Sequence, residues 1–160
     1  MSPRAAWRLE SLGFTEVYDY AVGRLDWMDA GLPTEGTNTK HPQAGDLARK
    51  DTPTCKVEEQ LSAVRDRVHA LGWDAVVVVN EERVVFGLLR AKELALDGDQ
   101  PIAPAMRPGP STFRPYVSVE EMARSMVQHK LESSPITTSD GRLVGLLLQK
   151  DVVDLAGPGQ

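Results

Sequence analysis

Apolar residues recur every three or four positions in two stretches of the chain, and this spacing predicts two amphipathic helices. The first stretch contains Leu61, Val64, Val68 and Leu71, and the second contains Val119, Met122, Ala123 and Met126. A short extended segment precedes each predicted helix, at residues 54–56 and 112–114. The polar and apolar pattern around the two helices is therefore the same.

Two short apolar runs follow each predicted helix, and polar turn residues separate them, as in a β-hairpin. The first pair of strands is predicted at 75–79 and 84–89, the second at 135–138 and 143–148. The second turn contains Asp140-Gly141, a strong hairpin signal. A last helix opens at Ala91 in the first copy and at Lys150 in the second. Each copy is thus a β-α-β-β-α unit.

One constant offset of 58 residues relates the two units without a gap, which indicates an internal duplication. It carries Thr54 to Thr112, Leu61 to Val119, Val64 to Met122, Val68 to Met126, Gly87 to Gly145, Leu88-Leu89 to Leu146-Leu147, Lys92 to Lys150 and Glu93 to Asp151. One unit has too small a core to be stable alone, so the two copies are expected to pack sheet to sheet. The predicted fold class is α/β.

The chain before the duplication has a different pattern. Residues 1–33 predict a helix from Ser2-Pro3 to Gly13, a short strand at 15–20, a turn at Gly23 and a helix at 24–30. Residues 34–44 are polar and aperiodic, which is typical of a linker. We therefore expect repeats at 45–96 and 111–156, a connector at 97–110 and a tail at 157–160. Trp7, Phe14, Tyr18 and Trp27 are expected to pack on the repeats or on a second subunit.

Composition narrows the class of protein. The chain has 160 residues, 41% of them hydrophobic and 26% charged, as in soluble globular proteins. A net charge of −5 without a basic cluster argues against nucleic acid as the partner. The single cysteine, Cys55, excludes an internal disulfide and fits the cytosol. We predict a cytoplasmic protein, since no signal peptide is evident and the longest apolar run, 75–79, is too short for a membrane span.

The ends of the repeats resemble a known family. The run Asp140-Gly-Arg-Leu-Val-Gly-Leu-Leu-Leu-Gln-Lys-Asp151 resembles the end of a CBS (cystathionine-β-synthase-type) repeat. The segments 45–54 and 102–112 resemble the connectors that enter such repeats, so the resemblance covers about residues 45–156. It implies a tandem pair of repeats that forms homodimers and regulates an attached or partner protein, whose identity the sequence does not give.

The resemblance also implies a binding site, because family members commonly hold adenosine-containing ligands between paired repeats. Carried over by position, Asp151 and Glu93 would bind ribose hydroxyls. The backbone at Thr112-Phe113 and Thr54-Cys55 would read the base. AMP, ADP, ATP and S-adenosylmethionine are the implied candidates, and no cofactor is required.

Three positions depart from the family pattern. The hydroxyl expected near the phosphate is replaced by Leu148 in the second repeat and by Arg90 in the first. Arg90 would either bind phosphate directly or fill the cleft itself. Glu93 is one methylene longer than the usual Asp. A ligand with more than one phosphate group is therefore less favoured than a nucleoside or a nucleoside monophosphate.

Residues 1–33 resemble the C-terminal end of a rhodanese domain, in the order helix, Leu-Gly-Phe, Val-Tyr strand, Gly and Asp-Trp. That family transfers sulfur through a cysteine in a loop before this helix. We expect neither the loop nor its cysteine here, and Cys55 is interpreted as a small buried hydrophobe. No catalytic residue follows from the resemblance.

The sequence leaves three functions open. The first is a non-catalytic regulatory module that senses an adenosine compound. The second is a ligand-free interaction or dimerisation module whose clefts are occluded by Arg90 and Leu148. The third and most remote is a vestigial sulfurtransferase. The three histidines lack metal-ligand spacing, so no metal site is predicted.

Overall fold

The computed structural model describes residues 2–18, 23–29, 32–33, 42–96 and 99–156. Two helices precede the duplication, α1 (Ser2–Ser11) and α2 (Arg24–Asp29). Helix α1 ends as the sequence predicts, because Gly13 adopts a positive φ of 93° just beyond its last turn. The N–H of Phe14 then bonds to the carbonyl of Leu9 at 3.3 Å.

The first repeat follows a one-turn helix, α3 (Ala44–Leu47). Its elements are β1 (Thr54–Cys55), α4 (Leu61–Ala70), β2 (Val76–Val79), β3 (Val85–Leu89) and α5 (Ala91–Leu94). A second one-turn helix, α6 (Ile102–Ala105), and a short strand, β4 (Arg107–Pro108), form the connector. The second repeat contains α7 (Val119–Gln128), β5 (Ser133–Thr137), β6 (Leu143–Leu148) and α8 (Gln149–Ala156).

The offset of 58 residues is reproduced in three dimensions. Helices α4 and α7 have bounds that differ by 58 at both ends, and so do α3 and α6. Strand β1 pairs in parallel with β2 at Cys55 and Val78, and Phe113 pairs in parallel with Ile136. Both hairpins are antiparallel and shift register at the equivalent step. The duplication and the α/β fold class are therefore confirmed.

The one-turn helices are exchanged between the repeats. Strand β4 pairs with β3, which places the connector that leads into the second repeat on the first sheet, in the order β1-β2-β3-β4. Reciprocally, the backbone of Arg49 pairs with Leu146 in β6. Helix α3 packs in the core of the second repeat, and α6 packs in that of the first. Neither repeat completes its own core, so the two fold as one module.

A third apolar cluster joins the sheets. It contains Ala75, Val77, Val79, Leu88, Leu143, Leu146 and Leu148. Alternate residues of β2 serve two cores, because successive side chains on a strand point to opposite faces. Val76 and Val78 pack under α4, and Val77 faces the other sheet. The expected packing of sheet against sheet is confirmed.

Two details of the sequence analysis are wrong. Residues 15–18 form no strand, and residues 19–20 lie outside the described part. Aromatic and β-branched residues favour a strand only where a neighbouring strand can pair with them, and residues 15–18 have none among the described residues. Leu71 is not a core residue, since it caps the C-terminus of α4 and is 59% exposed. The apolar face of α4 ends at Val68.

The N-terminal aromatics behave differently from one another. Trp7, Phe14 and Tyr18 are 67%, 60% and 87% exposed, so packing on the repeats is not what the structure shows for them. Trp27 is half-buried and donates its indole N–H to the carbonyl of Pro33 at 2.8 Å. Residues 34–41 of the predicted linker lie outside the described part, while Ala44 is fully buried against the second repeat. The domain boundaries themselves stay predictions.

Candidate functional site

The two candidate ribose-binding carboxylates occupy equivalent places. Glu93 is the third residue of α5, and Asp151 is the third residue of α8. A negative charge is favoured in the first turn of a helix, where free N–H groups and the helix dipole attract it. Position alone therefore explains why an acid stands in each helix, and their partners decide what else these acids do.

An arginine of the exchanged segments binds each acid. The Nε and Nη2 atoms of Arg49 donate to Oδ2 and Oδ1 of Asp151 at 2.8 and 2.9 Å. The Nε of Arg107 donates to Oε1 of Glu93 at 2.6 Å. Arg49 and Arg107 are themselves 58 residues apart, as their partners are. The duplication has preserved two ion pairs that cross between the repeats.

The two acids differ in what binds their second oxygen. Oε2 of Glu93 accepts the backbone N–H of Arg90 at 3.0 Å, which closes a capping interaction at the start of α5. Among the described residues, Arg49 is the only hydrogen-bond donor to Asp151. The Asp151 side chain is 25% exposed, whereas that of Glu93 is 10% exposed. Glu93 is bound into the fold, and Asp151 is held by one side chain alone.

These contacts stabilise the ionised forms. The hydrogen bond from Arg49 lowers the pKa of Asp151, with burial opposing it. Burial raises the pKa of Glu93, but the bonds from the Arg90 backbone and from Arg107 outweigh it, so the pKa is lowered overall. Both acids are thus negatively charged at neutral pH and are able to accept hydrogen bonds from hydroxyl groups.

Arg49 has a second contact that Arg107 lacks. Its guanidinium carbon lies 5.7 Å from the centroid of the Trp73 ring, within the range of a cation–π interaction. The position equivalent to Trp73 in the second repeat is Leu131, whose side chain is not aromatic. The Arg49 guanidinium is therefore held on one side by a carboxylate and on another by an aromatic surface.

A cleft of about 370 Å³ lies between the repeats, and Ala91 and Lys150, from the helices that carry the two acids, form part of its lining. Its lining contains residues related by the offset of 58, so it crosses the pseudo-twofold axis of the module. The lining residues are Asp74, Ala75, Arg90, Ala91, Glu132, Ser133, Leu148, Gln149 and Lys150. The volume falls within the roughly 300–1,000 Å³ of small-molecule sites. The cleft is not filled by the protein itself.

Arg90 forms part of the wall of this cleft. Its Nε and Nη2 atoms donate to Oγ and O of Ser133 at 3.3 and 3.0 Å, which ties the first repeat to the second. Its equivalent, Leu148, is buried in the cluster between the sheets. Arg90 therefore lies along the wall bound to Ser133, and Leu148 contributes only apolar surface.

The opening strand of the second repeat is engaged in the sheet. The N–H of Phe113 donates to the carbonyl of Pro135 at 3.1 Å, and its carbonyl accepts from Thr137 at 2.9 Å. Its ring packs against the second core. Thr112 is exposed beside it. Because both backbone groups of Phe113 are used, reading of a base at this strand would fall to Thr112.

The opening strand of the first repeat faces another depression. Thr54 and Cys55 line a hollow of about 400 Å³ together with the turn that follows β2. Glu93 follows β3, whose end pairs with the beginning of β2, whereas the turn that borders this hollow follows the end of β2. The structure does not bring Thr54 and Cys55 into the cleft that Arg90 lines.

Cys55 is a structural residue. Its side chain is 2% exposed in the first core. Burial, with a further contribution from Glu59, raises the pKa of the thiol to about 12. A thiol that stays protonated at neutral pH is a poor nucleophile. The expectation of a small buried hydrophobe is confirmed.

Sequence reasoning did not single out Arg49, Arg107, Trp73 or Ser133. For the arginines a signal was present, because they match at the same offset as the two acids and have the opposite charge. In the described residues no group of three or more His, Cys, Asp or Glu side chains is arranged to hold a metal ion. None of the described helices is long and apolar enough to cross a membrane.

Comparison with known proteins agrees with this architecture. Residues 102–157 match the family model of the CBS domain. An uncharacterized protein of Methanopyrus kandleri is 24% identical over 119 residues, which are 69% of this chain and 61% of that protein. Inosine-5′-monophosphate dehydrogenase of Korarchaeum cryptofilum is 25% identical over 105 residues, 64% of this chain and 22% of the enzyme. The match thus spans less than two thirds of either relative.

Solved structures share the fold of both repeats. The cytosolic domain of the Mg²⁺ channel MgtE, in complex with ATP, has a TM-score of 0.65 at 24% identity, over 74% of this chain and 51% of that one. CBSX2 in complex with AMP has a TM-score of 0.65 at 19% identity, over 72% and 96%. A CBS domain pair in complex with 5′-methylthioadenosine and S-adenosyl-L-methionine has a TM-score of 0.65 at 16% identity, over 72% of this chain and 95% of that one.

The chain therefore has the fold of a tandem CBS pair, and its second repeat matches the CBS domain itself. This agrees with the family resemblance of residues 45–156. The resemblance of residues 1–33 to the end of a rhodanese domain finds no support in these comparisons.

Proposed function

We propose that this module is a non-catalytic sensor that binds an adenosine-containing ligand at Asp151 and regulates an attached or partner protein. The observation that carries the proposal is the arrangement of Asp151. Its carboxylate is ionised and partly exposed, and the preceding residue, Lys150, lines an open cleft between the repeats. The two oxygens of this carboxylate match the two hydroxyl groups of a ribose. Related folds solved with AMP, ATP or S-adenosyl-L-methionine support the choice of ligand class.

The proposal assigns one ligand to each chain rather than two. At the Glu93 site, Oε2 is used by the Arg90 backbone, so only one oxygen would be released even if Arg107 withdrew. Glu93 is also the less exposed acid. Glu93 and Arg90 accordingly support the fold, and Asp151 is the acid that the ligand uses.

Titration with AMP, ADP, ATP and S-adenosylmethionine tests the proposal. A ligand that binds only the folded state at 100 times its Kd stabilises the protein by about 2.7 kcal/mol, which raises the Tm by roughly 5–10 °C. Calorimetry should give one site per chain. If none of the four compounds changes the Tm of the wild type, the sensing function is wrong.

A second candidate function is assembly without a ligand. Arg49 and Arg107 already occupy both acids, and three N-terminal aromatic side chains are exposed. In this alternative the module forms a homodimer through its repeats, and residues 1–40 strengthen it. Light scattering of the full chain and of a variant without residues 1–40 tests this. A folded, unchanged dimer after the deletion would exclude a role for that segment.

The remaining alternative, a sulfurtransferase, is disfavoured by the chemistry of the described residues. Sulfur transfer needs an accessible thiolate, and the thiol of Cys55 is buried and protonated. We further propose a cytoplasmic location, which rests on composition and on the reduced cysteine. Fractionation of cells that express a tagged full-length chain would test it.

A further inference from the structure

The Arg49 side chain occupies the place that a ligand would take at Asp151. Both carboxylate oxygens accept hydrogen bonds from it, and the Trp73 ring lies on another side of the guanidinium. A ribose cannot use these oxygens until the arginine withdraws. Binding is therefore an exchange, in which two hydroxyl donors replace two N–H donors of a cation.

The exchange favours a ligand that brings its own negative charge. A nucleoside replaces charged donors with neutral ones and leaves the guanidinium without its hydrogen-bonded carboxylate. Charge-assisted hydrogen bonds are stronger than neutral ones, so this exchange costs free energy. A nucleotide provides a phosphate group as a new partner, and the planar guanidinium of an arginine can donate two hydrogen bonds to a phosphate.

The backbone around Arg49 keeps the displaced side chain near the site. Its N–H and carbonyl pair with Leu146 at 2.9 and 3.1 Å, and the carbonyl also accepts the hydroxyl of Thr52 at 2.6 Å. The side chain itself is 42% exposed, so it can swing into solvent about a fixed Cα. It thus remains within reach of a ligand bound at Asp151.

We propose that Arg49 is a latch on Asp151 that determines specificity: it excludes nucleosides by competing for the carboxylate and favours nucleotides by binding their phosphate. This inference rests on the proposed ligand site. It separates the nucleoside from the monophosphate, which the sequence left together as the favoured ligands. The phosphate partner comes from the exchanged segment of the chain, not from the position where the family has a hydroxyl.

Calorimetric titration with adenosine and AMP tests the latch. We expect the wild type to bind AMP about tenfold more tightly than adenosine, the factor of one charge-assisted hydrogen bond. Arg49→Ala should bind adenosine about fivefold more tightly, as expected from the loss of a competing, partly exposed ion pair. It should bind AMP no better than the wild type, so the preference falls to about twofold or less.

Two further variants complete the experiment. Arg107→Ala removes the same charge at the pseudo-symmetric position, and its preference for AMP should equal that of the wild type. Arg49→Lys keeps the charge but loses the two-pronged contact, and it should retain part of the preference. If Arg49→Ala is too unstable, Arg49→Lys takes its place as the test variant. Circular dichroism checks that each variant is folded.

The outcomes distinguish a failure of the latch from a failure of the proposed ligand site. An unchanged preference for AMP in Arg49→Ala would mean that another cation, such as Lys150, reads the phosphate, and the latch would be overturned. Weaker binding of adenosine by Arg49→Ala would also overturn it, since a competitor cannot assist. If neither compound binds any of these proteins, the proposed function fails together with the latch.

Discussion

The two halves of this module share the same backbone fold but differ in their acid sites. In the first repeat, Glu93 bonds to Arg107 and to the backbone of Arg90, so it closes the start of α5. In the second repeat, Asp151 bonds to Arg49 alone among the described residues. Glu93 thus divides its oxygens between an arginine and its own helix cap, whereas Asp151 uses both oxygens for one arginine. A duplicated scaffold can thus keep one copy of an ion pair for stability and leave the other available for exchange.

The largest expected effect is on ligand binding. Asp151→Asn removes the charge that accepts both ribose hydroxyls, and AMP affinity should fall about 30- to 100-fold. Glu93→Gln should change it less than threefold. Isothermal titration of both variants measures this contrast. Equal losses in the two variants would show that both halves bind ligand.

The next largest effect is on packing at the exchanged segments. A Cβ added at Gly145 would lie 2.7 Å from the carbonyl oxygen of Arg49 and 3.1 Å from the Cβ of Ala48. At Gly87 it would meet the flexible side chain of Met106. Gly145→Ala should therefore cost about 2–3 kcal/mol of unfolding free energy, and Gly87→Ala about 1 kcal/mol. Urea denaturation of both variants measures the difference, and a larger cost at Gly87 would contradict it.

Removal of each acid should affect stability in the opposite order from binding. Glu93→Ala leaves a helix N–H and a partly buried arginine contact unsatisfied, which should cost about 1–2 kcal/mol. Asp151→Ala breaks a more exposed ion pair and should cost about 0.5–1 kcal/mol. The two Tm values, measured without ligand, test the ranking. A greater loss for Asp151→Ala would mean that its ion pair is structural as well.

The smallest effect concerns pH. The pKa of Glu93 is below its ordinary value of 4.5 in the folded state. Its contribution to stability is thus complete above about pH 5 and is lost as the pH falls through the lowered folded-state pKa. The unfolding free energy of Glu93→Gln should therefore decline less steeply than that of the wild type between about pH 5 and pH 3. If the unfolding free energies of the wild type and Glu93→Gln change in parallel with pH, the partners of Glu93 do not stabilise its ionised form.

Much of the fold was predictable because it depends on local pattern. The helical spacing of Leu61, Val64 and Val68, and the match of each to the second repeat, predicted α4 and α7. Leu71 was misassigned because periodicity does not show where a helix ends. The predicted strand at 15–20 failed because a strand needs a partner that lies elsewhere in the chain.

The candidate site was predictable only in part. The sequence identified Asp151 and Glu93 as equivalent acids at helix starts, since position within a repeat is a local property. It grouped Thr54, Cys55 and Glu93 into one site, but Glu93 does not line the hollow that Thr54 and Cys55 line. Which side of a cleft a residue faces is decided by strand pairing, and the pairing of β1 with β2 is not local.

The sequence by itself determined the duplication, the α/β class and the place of the two acids, because each follows from spacing along the chain. Only the tertiary structure decided which arginine meets which acid. Arg49 precedes β1 of the first repeat but binds the acid of the second, 102 positions away, because the exchanged segment carries it there. Contacts made through such an exchange have no signature in local pattern, and in this module they bring an arginine to each acid.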